Sequence, residues 1–178
     1  MIDLSALSTK YDTRLFNPSD VELILSVAQK NMQFYKYAEA KPIRKQILHD
    51  METAPPRKDL SDKYYFGFFD GDVLVAIMDL VEGYPTDDIT YIGFFMMNPE
   101  YQGKGIGSFI VSEVLIYLKL IGVKKIHLAI DDGNPQSRHF WEKNGFKVIG
   151  DVEIHGYTKL IGEKQLVHIG DGSLCGPG

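Results

Sequence analysis

Three glycines alternate in the run Tyr101-Gln102-Gly103-Lys104-Gly105-Ile106-Gly107-Ser108, and their flanks define their setting. The preceding segment, Tyr91-Ile92-Gly93-Phe94-Phe95-Met96-Met97, is apolar and reads as a strand closed by the turn residues Asn98-Pro99-Glu100. Behind the glycines, Ile106, Ile110, Val114, Leu118 and Ile121 recur at helical spacing, and Gly122 supplies a stop. Strand, glycine turn and helix N-terminus together let several backbone N–H groups converge on an anion, so a phosphate-bearing ligand is expected there.

Two common phosphate motifs do not fit. A P-loop requires Gly-Lys followed by Ser or Thr, whereas Gly103-Lys104 is followed by Gly105, and Asn98 stands where the first glycine belongs. In the dinucleotide fingerprint the third glycine falls on Ser108 or Ile110, depending on where counting starts. The spacing Gln102-x-x-Gly105-x-Gly107 instead resembles the (Arg/Gln)-x-x-Gly-x-(Gly/Ala) signature of the GNAT superfamily of acyl-CoA-dependent N-acetyltransferases. A second stretch, Asn134-Pro135-Gln136-Ser137-Arg138-His139-Phe140-Trp141-Glu142-Lys143-Asn144-Gly145-Phe146, reads locally as a short helix. Asn134 is a good N-cap, Pro135 suits the first helical position and Gly145 the residue past the end. It resembles the second signature of the same family, Asn-x-x-(Ala/Ser) followed by an aromatic pair, Lys and Gly-Phe.

The rest of the chain reads as a compatible series. Residues 10–16 form a first strand, and Asn17-Pro18-Ser19-Asp20 starts a helix carrying Val21, Ile24, Leu25 and Ala28. A second helix begins at Lys41-Pro42 and stops before Pro55-Pro56. Between them, Phe34-Tyr35-Lys36-Tyr37 is an aromatic linker, read either as packing beneath the helices or as the wall of a substrate pocket. Strands follow at 63–70 and 73–80, joined by the hairpin signal Asp70-Gly71, and at 89–97 after Gly83-Tyr84-Pro85. A strand at 125–130 precedes the Asn134 helix, and 146–169 supplies two more strands, the last at Gln165-Leu166-Val167-His168-Ile169. Residues 151–163, with His155 and Tyr157, are expected as a loop covering the acceptor. The resemblance implies an α/β, single-domain GNAT fold: a mixed, mostly antiparallel twisted sheet of six to seven strands flanked by about four helices. Residues 1–170 form the domain, and 171–178 a flexible tail.

Composition narrows the partners. A chain of 178 residues with 44% hydrophobic and 24% charged content suits one globular domain. Net charge is −5 without a dense basic stripe, which disfavours nucleic acid because that binding rests on phosphate neutralisation. The single Cys175 excludes an internal disulfide framework and a cysteine-based zinc cluster. The N-terminus has no signal pattern and no segment approaches a membrane span, so a cytoplasmic protein with no membrane partner is expected, and a homodimer is an assembly to expect.

The resemblance also implies the site. Acetyl-CoA is the expected acetyl-donor cosubstrate, with no metal. The amides of Gly103, Lys104, Gly105, Ile106, Gly107 and Ser108, after Gln102, would wrap its pyrophosphate. The backbone of Phe95, Met96 and Met97 would pair with the pantetheine arm as an added strand, an N–H there polarising the thioester carbonyl. Asn134 would hydrogen-bond the arm and Trp141 pack along it. Trp141 stands where the family often carries a tyrosine acid, and an indole cannot act as an acid at physiological pH. For the base, Tyr91 lies where some members place a glutamate, and Asp79 is the lone charge in an apolar strand, read as a catalytic carboxylate or a strand-end residue facing water. His127 reads as a hydrogen-bonded sheet histidine and His139 as solvent-facing. The acceptor is a small-molecule or peptide amine, attacked directly in a ternary complex. The alternative is a non-catalytic acyl-CoA-binding module.

Overall fold

In the computed structural model, residues 1–166 are described. Seven strands, β1 (Asp12–Leu15), β2 (Lys63–Asp70), β3 (Val73–Glu82), β4 (Ile89–Met97), β5 (Lys125–Asp131), β6 (Lys147–Ile154) and β7 (Tyr157–Gln165), form one sheet in the order β1-β2-β3-β4-β5-β7-β6. Every neighbouring pair is antiparallel except β4 and β5. That parallel step needs a crossover, which the amphipathic helix α4 (Ile106–Leu120) supplies. The shorter helices are α1 (Val21–Gln29), α2 (Met32–Tyr35), α3 (Arg44–Glu52) and α5 (Pro135–Lys143).

Two cores lie on opposite faces of the sheet. On one, Ile110, Val114 and Leu118 of α4 pack on Phe66, Phe68, Met78, Leu80, Ile126 and Leu128. On the other, Ile24 and Val27 of α1 and Ile47 of α3 pack on Tyr65, Phe69, Leu74, Ile77 and Met96. β3 is covered on both faces, which is why Val73 to Val81 is nearly all apolar instead of alternating. Fully buried side chains such as Phe66 and Phe68 contribute about 1.5–3 kcal/mol each. Asn17 and Asp20 form a capping box ahead of α1, and Asp20 also holds Arg14 through two bonds of 2.9 and 3.0 Å.

Several expectations need correction. Residues 151–163 are not a loop. β6 and β7 run through them as a tight hairpin turning at His155-Gly156, both with positive φ (50° and 81°). The last described strand is therefore β7, ending at Gln165; Val167 to Ile169, Cys175 and the expected tail lie outside the described residues. The second helix starts at Arg44, past Pro42, and the aromatic linker begins inside the short helix α2. Among the described residues, no helix is long and apolar enough to cross a membrane.

Candidate functional site

The glycine turn is held in place by side-chain amides. Asn31 Nδ2 and Gln102 Nε2 both donate to Met97 O, at 3.1 and 3.3 Å, and Gln102 Nε2 also reaches Asn31 Oδ1 at 2.9 Å. The end of β4, the end of α1 and the start of the turn thus share one knot. Gly103 and Gly105 have φ of 72° and 77°, so an L side chain would be strained at either. Gly107 is closely packed: a Cβ there would lie 3.2 Å from the Phe140 ring and 3.4 Å from Met97 Cγ. The first helical bond runs from Phe109 N–H to Gly105 O at 3.0 Å, which leaves the N–H groups of Ile106, Gly107 and Ser108 without an acceptor inside α4.

Beside the turn, the sheet opens. β4 and β5 pair only from Ile89 to Ile92 and from Lys125 to Leu128, then part. Asn98 N–H donates to Val75 O at 2.8 Å, with Ile77 opposite Met96 and Ala76 opposite Met97. By the alternation of an antiparallel ladder, Phe94 and Met96 turn their backbone groups to β3, while Phe95 and Met97 turn theirs into the gap. Met97 O is taken by the amide knot, so the gap receives the N–H groups of Phe95 and Met97 and the Phe95 carbonyl.

Two cavities adjoin this gap. The first, of about 480 Å³, is lined by the glycine turn, Phe95 to Met97, Asn134 and Trp141, with Lys30 and Lys143 as its charged residues. The second, of about 310 Å³, lies under α1 to α3 and is lined by Glu39, Asp50, Asp79 and Asp131, with Lys41 and Lys159. Phe34, Phe95, Ser137 and Trp141 line both. One chamber is thus cationic and the other net anionic, so the pair suits an anionic ligand next to a cationic one.

Asp79 is the unusual group in the anionic chamber. It is 9% exposed, and its Oδ1 is buried without a hydrogen-bond partner. An orphaned buried acceptor costs about 1–3 kcal/mol. Its Oδ2 lies 3.2 Å from Lys63 Nζ, and Lys63 also donates to the carbonyls of Asp50 and Thr53, tying the end of α3 to the carboxylate. Burial pushes Asp79 up to about 6, against the pull of Lys63. Opposite it, a bulge in the β3–β4 pairing leaves Gly93 without a partner, and a Cβ at Gly93 would stand 2.9 Å from Asp79 Oδ2. Burial also raises Asp50, whose Oδ1 accepts from Gln46 at 2.8 Å, and pushes Tyr35 up to about 12. Among the described residues, no group of three His, Cys, Asp or Glu is arranged to hold a metal ion.

Residues 28–146 match the acetyltransferase (GNAT) family. The chain belongs to that family. It is 25% identical over 101 residues to the spermine/spermidine N(1)-acetyltransferase of Bacillus subtilis, a stretch covering 54% of this chain and 66% of that protein. It spans between about a fifth and two thirds of the length of the curated relatives it matches. Among solved structures it resembles an acetyltransferase from Thermus thermophilus, with TM-score 0.71, 22% identity, and 88% of this chain and 97% of that one covered. It also resembles the PaiA N-acetyltransferase of Thermoplasma acidophilum, solved in complex with coenzyme A, with TM-score 0.63, 19% identity, and 87% and 98% covered. Both likenesses speak to the fold.

Against this GNAT frame, the expected site residues divide. Phe95, Met96, Met97, Gln102, Gly103, Gly105, Gly107, Ser108, Asn134 and Trp141 meet at the first cavity. Lys104 and Ile106 do not line it. Lys104 Nζ donates to Glu100 O at 3.0 Å, and Ile106 packs on the core. Asn134 caps α5 by accepting from Ser137 N–H at 3.0 Å, which leaves its amide N–H groups for a ligand. Trp141 is wedged among Phe95, Phe140 and Phe146. Asp79 is a mostly buried wall of the second cavity, whereas Tyr91 lies outside both chambers, edge-on to Tyr84. His127 bonds Glu163 at 2.7 Å across β5 and β7, and His139 is exposed. Sequence reasoning missed Lys63, Asp50 and Glu39. The first had a readable signal: across the Asp70-Gly71 turn, pairing brings Tyr65 opposite Asp79 and so puts Lys63 on Asp79's face.

Proposed function

We propose that this chain transfers an acetyl group from acetyl-CoA to an amine acceptor, by direct attack while both are bound. The meeting of a cationic and an anionic chamber at the open edge of β4 carries the reading. The residues present fit the donor. Unpaired amides of Ile106, Gly107 and Ser108 and the dipole of α4 would hold its pyrophosphate, aided by Lys30 and Lys143. The gap-facing backbone groups of Phe95 and Met97 would hold the pantetheine arm, and one of their N–H groups would polarise the carbonyl. Acetyl-CoA supplies the activated acetyl thioester.

Asp79 would bind the acceptor ammonium and take one of its protons. A carboxyl near 6 is ionised at neutral pH yet more basic than an ordinary aspartate. With Asp79 paired to Lys63 and Asp131 to Lys159, Glu39 and Asp50 against Lys41 leave the chamber net anionic, which favours a cationic acceptor. That suits a polyamine, the class for which the Bacillus subtilis relative is named, and equally a peptide N-terminus beside basic residues. The experiment is CoA-thiol release from acetyl-CoA across a panel of diamines, polyamines, amino acids and N-terminal peptides. Release with a cationic amine supports transfer. Tight acetyl-CoA binding with no release on any amine would favour the non-catalytic module, for which the placement of Trp141 in the core, without a phenol, is the specific motive.

A further inference from the structure

We propose that Ser137 is a catalytic residue, relaying the second of the two protons that an acceptor ammonium must lose onto the departing thiolate. The inference rests on the acetyl-transfer reading above. Among the described residues, only Phe34, Phe95, Ser137 and Trp141 line both chambers, and the reacting atoms have to meet where the chambers do. The two phenylalanines carry no polar hydrogen. The Trp141 indole donates a hydrogen bond but has no lone pair with which to accept one, so it cannot pass a proton on. The serine hydroxyl both accepts and donates. Tyr35 and Tyr65 line the anionic chamber alone, and His139 the cationic one alone.

The position of Ser137 is fixed by its backbone, not its hydroxyl. Its N–H donates to Asn134 Oδ1 at 3.0 Å, which locks the first turn of α5. Ser137 is half-buried, and its Oγ has no hydrogen-bond partner among the described residues. Ser137 and Trp141 are four residues apart on α5 and so share a helix face. The chain therefore offers a hydroxyl one turn before the position where its indole replaces a phenol.

The proton count calls for two groups. An ammonium keeps one of its three N–H protons in the amide product and loses two. The first passes to the Asp79 carboxylate and frees the nitrogen lone pair. The nitrogen then forms its bond to the acetyl carbon as the carbon–sulfur bond breaks. The second proton moves from nitrogen to Ser137 Oγ while the Oγ proton moves to sulfur. The products are an N-acetylated amine, a free thiol and an unchanged serine, and Asp79 returns its proton to water.

The test uses the full chain, acetyl-CoA and whichever panel amine gives the greatest CoA release, with the variants Ser137→Ala and Ser137→Thr. Ser137→Ala is expected to lower kcat about 100-fold, at the low end for a positioned proton-transfer group, with both KM values and the calorimetric Kd for acetyl-CoA held within about threefold. Ser137→Thr keeps the hydroxyl and is expected to hold kcat within about fivefold of wild type. A Ser137→Ala enzyme keeping more than about a tenth of wild-type kcat overturns the relay, as does a Ser137→Thr enzyme that falls as far as the alanine variant. Those results leave acetyl transfer standing. A wild-type chain that releases no CoA with any amine overturns acetyl transfer itself, and the relay with it.

Discussion

Replacing Asp79 by Asn keeps the shape of the side chain and removes the charge, so it isolates the proposed base. Asp79 titrates at about 6, and its working form is the carboxylate. Wild-type kcat/KM should therefore rise with unit slope up to about pH 6 and then level off. Without the carboxylate, only acceptor already present as free amine can react. For an alkyl ammonium of pKa about 10.4, that is roughly one part in 10³ at pH ~7.4, equivalent to about 4 kcal/mol. Asp79→Asn should thus lose about 10²- to 10³-fold in kcat/KM at that pH. It should lack the break near 6, keep rising towards the ammonium pKa, and come within about tenfold of wild type above pH ~10. Stability has the opposite sign. The folded pKa is raised, so the contribution is present at low pH and lost as pH rises from 3.8 through about 6. Over that window, wild type should lose roughly 3 kcal/mol relative to Asp79→Asn in urea unfolding. A variant that keeps the break near 6 and loses less than about tenfold refutes Asp79 as the base.

Lys63→Met removes the cation that holds Asp79 down, so the rising limb should move to higher pH; an unmoved limb would mean that Lys63 does not tune the carboxylate. Gly105→Val places a β-branched residue at φ 77° in the glycine turn, and acetyl-CoA binding by calorimetry should weaken at least about tenfold. Unchanged affinity in a folded Gly105→Val protein would sink the pyrophosphate placement. Asp20→Ala removes a capping-box acceptor and the partner of Arg14, and should cost about 2 kcal/mol in chemical denaturation at neutral pH. Arg14 holds Asp20 below the usual carboxylate range, so this contribution is present above the unfolded pKa and fades as pH falls through the folded one.

Where local chemistry decides the structure, the sequence was legible. The Asp70-Gly71 turn between apolar runs located β2 and β3 to within a residue or two, and the 3.6-residue spacing from Ile106 located α4. Asn134 and Gly145 bracketed α5, and the glycine spacing led to the cationic chamber. Two strands are expected over 146–169, but with the loop between them drawn across 151–163; the alternation of Val152 and Ile154 and the His155-Gly156 dipeptide are the signals that shorten it to a tight turn. The anionic chamber was out of local reach. It depends on where β4 and β5 part, on the bulge at Gly93, and on Asp50 and Glu39 arriving from the α2–α3 region. These are tertiary facts. Asp79 itself stood out as a charge in an apolar strand, but only the cavity distinguishes a cleft carboxylate from a strand-end residue.

Direct attack requires donor and acceptor to occupy the adjoining chambers together, and initial-rate kinetics with both substrates varied reads this out. Intersecting double-reciprocal lines are expected, with no CoA thiol released before the amine is added. Parallel lines, with a burst of CoA from acetyl-CoA alone, would contradict simultaneous occupancy, because the acetyl group would then have been parked on the protein before the acceptor arrived.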